Sequence, residues 1–245
     1  MLTKEYILEQ LDKYCTLDEN LCTGTFYEQV VSPLEDAGCF NDWTFDSGVT
    51  KGVLIFGELD YVIKIPFYCE YYEGEGGYYD EEDNWIEGED GCPSGYPFGG
   101  IEVEGFCQEN PWDYCETEVA RYTVAERNNM EEHFAKTWLI GNVNHWPVYA
   151  QIKCCMYDSD SSRTTRSKRN YTEEDRKSVE KYIEAPGVDI TEAEWLIDFL
   201  YYWGPERLSA FISFCEEWFI DDLHRGNLGY ICGVPCLVDY SSYIG

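Results

Sequence analysis

The alternation of apolar and polar positions divides the chain into a short amphipathic helix, a strand-rich stretch and a helical last third. Thr3 is placed to cap a first helix, in which Ile7, Leu8, Leu11 and Tyr14 recur at helical spacing as far as about Cys15. Such a stripe packs on the outside of the strands that come after it. The period then shortens. Trp43-Thr44-Phe45, Val53-Leu54-Ile55-Phe56 and Tyr61-Val62-Ile63-Lys64-Ile65 predict three short strands, joined by turn-like links over residues 46–52 and 57–60 into an antiparallel meander. Residues 112–130 predict a helix, and residues 135–140 and 148–152 two more strands, with the link over 141–147 closing a hairpin. Thr172 with Asp175, and Thr191 with Glu194, are capping-box-like starts for two further helices. The second carries Trp195, Leu196, Phe199, Leu200 and Trp203 on one apolar face until Gly204-Pro205 stops it. A last helix over 206–218 turns Leu208, Phe211, Ile212 and Cys215 inward.

With 44% hydrophobic and 17% aromatic residues among 245, the chain has the means to build a sizeable core. Its 17 basic and 48 acidic residues leave a net charge of −31. That balance excludes a protein whose main task is to grip DNA, RNA or an anionic membrane, because those footprints are clusters of Lys and Arg. It allows an acidic surface that attracts a basic partner or imitates a polyanion. The charge is also uneven. Between Ile65 and Ala120 there is no Lys or Arg while acidic residues number 16, ten of them from Glu70 to Asp90, so this stretch predicts a long solvated loop. A basic island follows at residues 161–169, and either segment could recruit a partner of opposite charge.

The N-terminus runs into a charged amphipathic stretch with no apolar signal region, and no run of 18 apolar residues occurs. The twelve cysteines therefore suggest reduced thiols in a cytoplasmic protein. Cys232-Gly233-Val234-Pro235-Cys236 lacks the second pair of a zinc finger and reads as two small buried thiols flanking a hairpin turn. His133 and His145 lie outside any motif.

The chemistry concentrates near the C-terminus, in Asp221-Asp222-Leu223-His224-Arg225-Gly226-Asn227 and, twelve residues beyond Asn227, Asp239-Tyr240-Ser241. An Asp, an Asn five residues on and a later Asp suit phosphoryl transfer. One carboxylate orients or deprotonates a hydroxyl, while the amide and the second carboxylate hold Mg²⁺ on the phosphates.

Asp222-Leu223-His224-Arg225-Gly226-Asn227 resembles the catalytic loop of the protein-kinase-like superfamily, in particular its aminoglycoside- and choline-kinase branch. The pieces upstream fall in the order of that superfamily. Tyr61-Val62-Ile63-Lys64-Ile65 is similar to the third-strand Val-Ala-Ile-Lys, whose Lys contacts the phosphates of ATP. Ser47 to Gly52 lies where the Gly-rich loop belongs, with two glycines, Gly48 and Gly52, in place of three. Glu118, in preference to Glu116, would brace Lys64, and Gln151-Ile152-Lys153-Cys154 would be the adenine-binding hinge.

The resemblance implies an α+β, two-lobed protein-kinase-like fold. A helical extension (1–42) precedes an N-lobe (43–153) with a five-stranded antiparallel sheet, an αC-like helix and an acidic insertion over 67–112, and a truncated helical C-lobe (154–245) follows. It implies ATP and Mg²⁺ as cofactors, with Asp222, Lys64 and Glu118 catalytic and Gly48, Gly52, Lys64, Gln151 and Lys153 at the nucleotide. Asn227 and Asp239 would hold the metal. Three departures stand out. Ile220-Asp221 replaces His-Arg before the catalytic Asp, Asp239-Tyr240-Ser241 replaces Asp-Phe-Gly and so loses its glycine, and Gly245 follows Asp239 by only six residues, which leaves no room for an activation segment. In outline the chain is similar to compact kinase-like proteins of phages and bacterial effectors, which implies a phosphotransferase acting on a host protein, contacted through the acidic loop of residues 70–90 or the basic island. The competing expectation is a non-catalytic acidic protein on the same scaffold that blocks a host defence or nucleic-acid-handling complex.

Overall fold

The computed structural model describes residues 2–22, 24–48, 50–67, 77–79, 85–87, 112–156, 171–183, 185, 188 and 194–241. Thr3 caps α1 (Lys4–Tyr14) by accepting a hydrogen bond from Tyr6 N–H, as its spacing predicts. A π-helical turn (Tyr27–Val31) and α2 (Ser32–Ala37) follow, neither of them foreseen. Ser32-Pro33 opens α2, and Gly38, at φ 59°, closes it in the left-handed region that glycine tolerates.

Strands β1 (Trp43–Ser47), β2 (Lys51–Phe56), β3 (Tyr61–Pro66), β6 (Thr137–Val143) and β7 (Trp146–Ile152) form one antiparallel sheet in the order β1-β2-β3-β7-β6. The short strands β4 (Gly77–Tyr79) and β5 (Trp85–Glu87) pair with each other inside the acidic stretch. The remaining residues between 68 and 111, the basic island and Thr191 lie outside the described residues. The β6–β7 link is much shorter than the expected 141–147: only Asn144 and His145 connect the strands, at φ 49° and 72°. Positive φ at both central positions matches the right-handed twist of a two-residue hairpin, which let both strands extend beyond their apolar cores.

Alternation along the strands gives the sheet two faces. Leu54, Phe56, Ile63, Ile65, Val148 and Ala150 are buried against Ile7, Leu11, Phe26, Val31, Leu34 and Phe40. The first 42 residues are thus a cover that shares one core with the sheet. Two glycines show how close the contact is. A Cβ on Gly141 would lie 2.5 Å from the Leu8 side chain, and one on Gly52 would lie 2.1 Å from the Phe26 ring. The opposite face presents Lys51, Val53, Ile55, Val62, Lys64 and Gln151, and α3 (Asp113–Arg127) packs beside it.

A second core joins α4 (Glu173–Ile183) and α5 (Trp195–Glu217) to the last hairpin, β9 (Leu228–Ile231) and β10 (Val234–Leu237), which pairs with β8 (Cys155–Met156). Gly204, at φ 77° and ψ 169°, with Pro205 after it, breaks α5 into two arms where the sequence places a stop. Phe211 and Phe214 from the second arm pack on Phe134, which packs on Tyr240, and Phe199 of the first arm joins Phe211 to Trp195. Cys232 and Gly233 form the turn of the β9–β10 hairpin, so the turn falls where expected, but Cys232 sits within it and is exposed, while Cys236 is buried 4.0 Å from Cys154. The architecture is therefore α+β, a five-stranded antiparallel sheet with helices on either side. Among the described residues no helix is long and apolar enough to cross a membrane.

Candidate functional site

Lys64 lies on β3 between two core isoleucines, and strand alternation sends its side chain to the face opposite theirs. An ammonium buried there needs an anion, because an unpaired buried charge costs several kcal/mol. Glu118 supplies it from α3, with Oε1 and Oε2 at 2.9 and 2.8 Å from Lys64 Nζ. Glu118 is fully buried, and its remaining acceptor capacity is filled by Thr137 Oγ1 at 2.9 Å and by a second lysine, Lys51, at 3.0 Å. The choice between Glu116 and Glu118 is thereby decided at the level of contacts. Glu116 instead meets Tyr149, whose hydroxyl is pushed well up by burial first and then by the charge of Glu116.

Lys51 lies within the Ser47–Gly52 stretch read as the Gly-rich loop, but the sequence assigns it no role there. It begins β2 directly after the Gly48 turn, and its Nζ also lies 2.9 Å from Asp239 Oδ1 and 3.3 Å from Ser241 Oγ. The signal was available, because Lys51, Val53 and Ile55 share a face by the period of two. Burial by itself would lower the Lys51 pKa, but Asp239 and then Glu118 more than reverse this and hold it above the usual lysine value. Burial would likewise raise Asp239. The charges of Lys51 and Lys64, with hydrogen bonds from Lys51 and Ser241, hold its carboxyl well below the usual carboxylate range.

Asn227 is positioned by the end of β10: its carbonyl accepts from Val238 N–H at 2.7 Å, which seats it beside Asp239. Its amide donates to Asp222 O at 2.9 Å and Asp222 Oδ2 at 2.8 Å. His224 completes this loop. Its Nδ1 accepts from Gly226 N–H at 3.1 Å, so in the neutral ring the proton sits on Nε2, 3.3 Å from Asp222 Oδ1. Arg121 ties α3 to both ends of the segment, donating to the carbonyls of Tyr240 and Phe219.

These groups meet at a cleft of about 360 Å³. Gly48, Val53, Ile55 and Val62 line it from the sheet, and Met156, Asn227, Val238 and Asp239 from the segments joined to β8, β9 and β10. Residues 151–154 link the two sides. Gln151 bonds inward, its amide to Val238 O at 2.6 Å and Thr137 Oγ1 at 2.9 Å. Lys153 sends its Nζ to Phe56 O at 3.0 Å and its N–H to Asp60 O at 2.9 Å. Of the residues that the sequence points to, Gly48, Lys64, Gln151, Lys153, Asn227 and Asp239 line the cleft, Glu118 stands behind it and Asp222 is reached through Asn227. Gly52 turns the other way, toward Phe26, so its lack of a side chain serves packing beneath the N-terminal cover.

Chemically, the carboxylate of Asp239 and the amide oxygen of Asn227 are hard donors of the kind Mg²⁺ accepts, and the metal ordinarily completes its octahedron with water and phosphate oxygens. The two ammoniums offer charge to an anion in the same cleft, beside an apolar wall of Val53, Ile55, Val62 and Met156. Comparison with protein-family models, curated proteins and solved structures returns no match.

Proposed function

We propose that the chain is an ATP- and Mg²⁺-dependent phosphotransferase of a minimal protein-kinase-like plan. The observation that carries this reading is the convergence, in one cleft, of the Lys64–Glu118 pair, Asp239, Asn227 and, through Asn227, Asp222. These residues come from four separate stretches of the chain. In this reading residues 151–154, Gly48 and Lys64 would hold the nucleotide, with the Ile152 carbonyl and Cys154 N–H as the backbone groups for adenine because Lys153 N–H is bonded to Asp60 O. Bound Mg²⁺ supplies neutralising charge on the phosphates. Asp222 accepts the proton of the acceptor hydroxyl as its oxygen bonds to the γ-phosphorus and the bond to the β–γ bridging oxygen breaks. Asn227 and His224 hold the Asp222 carboxylate in place for that transfer. The acceptor is a hydroxyl of a host protein, recruited by charge through residues 70–90 or 161–169.

Thermal unfolding with and without Mg·ATP tests the proposal. Ligand at about 100 times its Kd adds about 2.7 kcal/mol, a rise of roughly 5 to 10 °C for a chain of this length. Asp239→Ala abolishes the rise. If saturating Mg·ATP leaves the wild-type melting temperature unmoved, the phosphotransferase reading fails, and the acidic, non-catalytic binding protein suggested by the charge of −31 gains.

A further inference from the structure

We infer that Lys51 is a second phosphate-holding lysine, which pairs with Asp239 Oδ1 as an internal counter-cation until metal and polyphosphate bind together. The inference rests on the phosphotransferase reading and deepens it.

An ammonium has three donors and no acceptor. Those of Lys51 go to Asp239 Oδ1 at 2.9 Å, Glu118 Oε1 at 3.0 Å and Ser241 Oγ at 3.3 Å. Glu118 does not depend on Lys51, since Lys64 already bridges both its oxygens and Thr137 takes a further place. The partner that does depend on it is Asp239, which receives no hydrogen bond from Lys64 and whose side chain keeps 36% of its surface open to the cleft. Two ammoniums and two carboxylates make the cluster neutral. A divalent cation arriving alone at Asp239, whose Oδ1 already holds Lys51 and Ser241, leaves the cluster with two excess positive charges. A polyphosphate arriving alone finds Lys51 held by Asp239.

When both arrive, the exchange balances. The cation takes the Asp239 carboxylate, and Lys51, still tethered through Glu118, turns its released donors to a phosphate oxygen. A flexible stem carrying a point charge suits such a move better than a planar guanidinium would. Lys51 thus couples the two ligands, so that each raises the affinity for the other by the same factor. Lys64 lacks this property because its anion is not a metal ligand.

Calorimetric titrations of Mn²⁺ alone, ATP in EDTA and Mn·ATP into the intact chain test the coupling. Lys51→Met is expected to bind Mn²⁺ alone at least tenfold more tightly than wild type and Mn·ATP at least tenfold more weakly. Asp239→Asn releases Lys51 and is expected to bind ATP in EDTA at least fivefold more tightly than wild type. The double variant Lys51→Met/Asp239→Asn, in which no charge is left unpaired, loses that gain. A lysine that only held the fold together would lower melting temperatures and leave these ratios unmoved. If wild type binds Mn·ATP while Lys51→Met stays within twofold of it in both titrations, the role of Lys51 is overturned and the phosphotransferase reading stands. Should Lys51→Met not fold, persistence of the ATP gain in the double variant overturns it instead. If wild type binds no Mn·ATP, both readings fall.

Discussion

Replacing Glu118 with glutamine keeps the shape of the side chain and removes only its charge, in a place where the charge has two lysines to satisfy. The oxygen of the amide can still accept, but its nitrogen must face either Lys51 and Lys64 or Lys64 and Thr137, which are donors. The buried cluster also passes from neutral to one excess positive charge. Removing one partner of a buried ion pair typically costs about 3–5 kcal/mol. An independent ceiling comes from proton release: a lysine with an ordinary pKa near 10.4 can shed its proton at pH 7 for about 1.4 kcal/mol per unit, or roughly 4.6 kcal/mol. The two bounds agree on a loss of about 3–5 kcal/mol, which lowers the melting temperature by roughly 6–20 °C for a chain of this size.

The pH dependence separates this account from simple loss of packing. In wild type the Lys51 pKa is raised above 10.5, so its contribution is complete below that value and is lost only as pH climbs through the higher folded one. In Glu118→Gln a buried lysine has its pKa depressed, and the unfolded chain binds the extra proton. Stability of the variant therefore increases with pH, by up to about 1.4 kcal/mol per unit between roughly pH 7 and 10, while wild type shows no such slope from this group. Urea midpoints of both proteins at pH 7, 8.5 and 9.5 measure the effect. A loss below about 1 kcal/mol at pH 7 with parallel pH profiles would refute the reasoning that the lysines depend on Glu118.

The helical core gives two further expected outcomes. His133 is stacked between Trp203 and Phe211 with Nε2 buried, and burial pushes its pKa down to about 4. The folded chain keeps it neutral, so as pH falls from 6.5 toward 4 wild type loses up to about 3 kcal/mol, and His133→Phe, compared by urea unfolding across that range, shows a flatter profile. Phe219 ends α5 at φ 52° with 78% of its surface exposed. Phe219→Gly relieves the left-handed backbone with little lost burial and should stabilise by about 1 kcal/mol, and a lower melting temperature would contradict this.

Much of the fold was legible because it is written in short-range rules. A cap such as Thr3, the alternation along β3 and the stop at Gly204-Pro205 each depend on a few neighbouring residues. Elements with weaker apolar patterns were missed: α2 is six residues long with Leu34 as its buried residue, and the β6–β7 hairpin, though expected, conceals its two-residue turn because Asn144-His145 lacks the usual glycine. The aspartates and asparagine near the C-terminus stood out as chemistry, and the structure seats Asn227 against both Asp222 and the Asp239 segment.

By itself the sequence determined the helical and strand-rich stretches, the place of Lys64 on a strand and the Asp-Asn-Asp string, since periodicity and spacing act over one strand or one turn. Only the tertiary structure decided which glutamate braces Lys64, that Gly52 accommodates Phe26, and that Lys51 reaches a carboxylate 188 residues away. The reason is physical: a buried charge is stable only where packing delivers its counter-charge, and no local pattern encodes a partner brought by another layer of the fold.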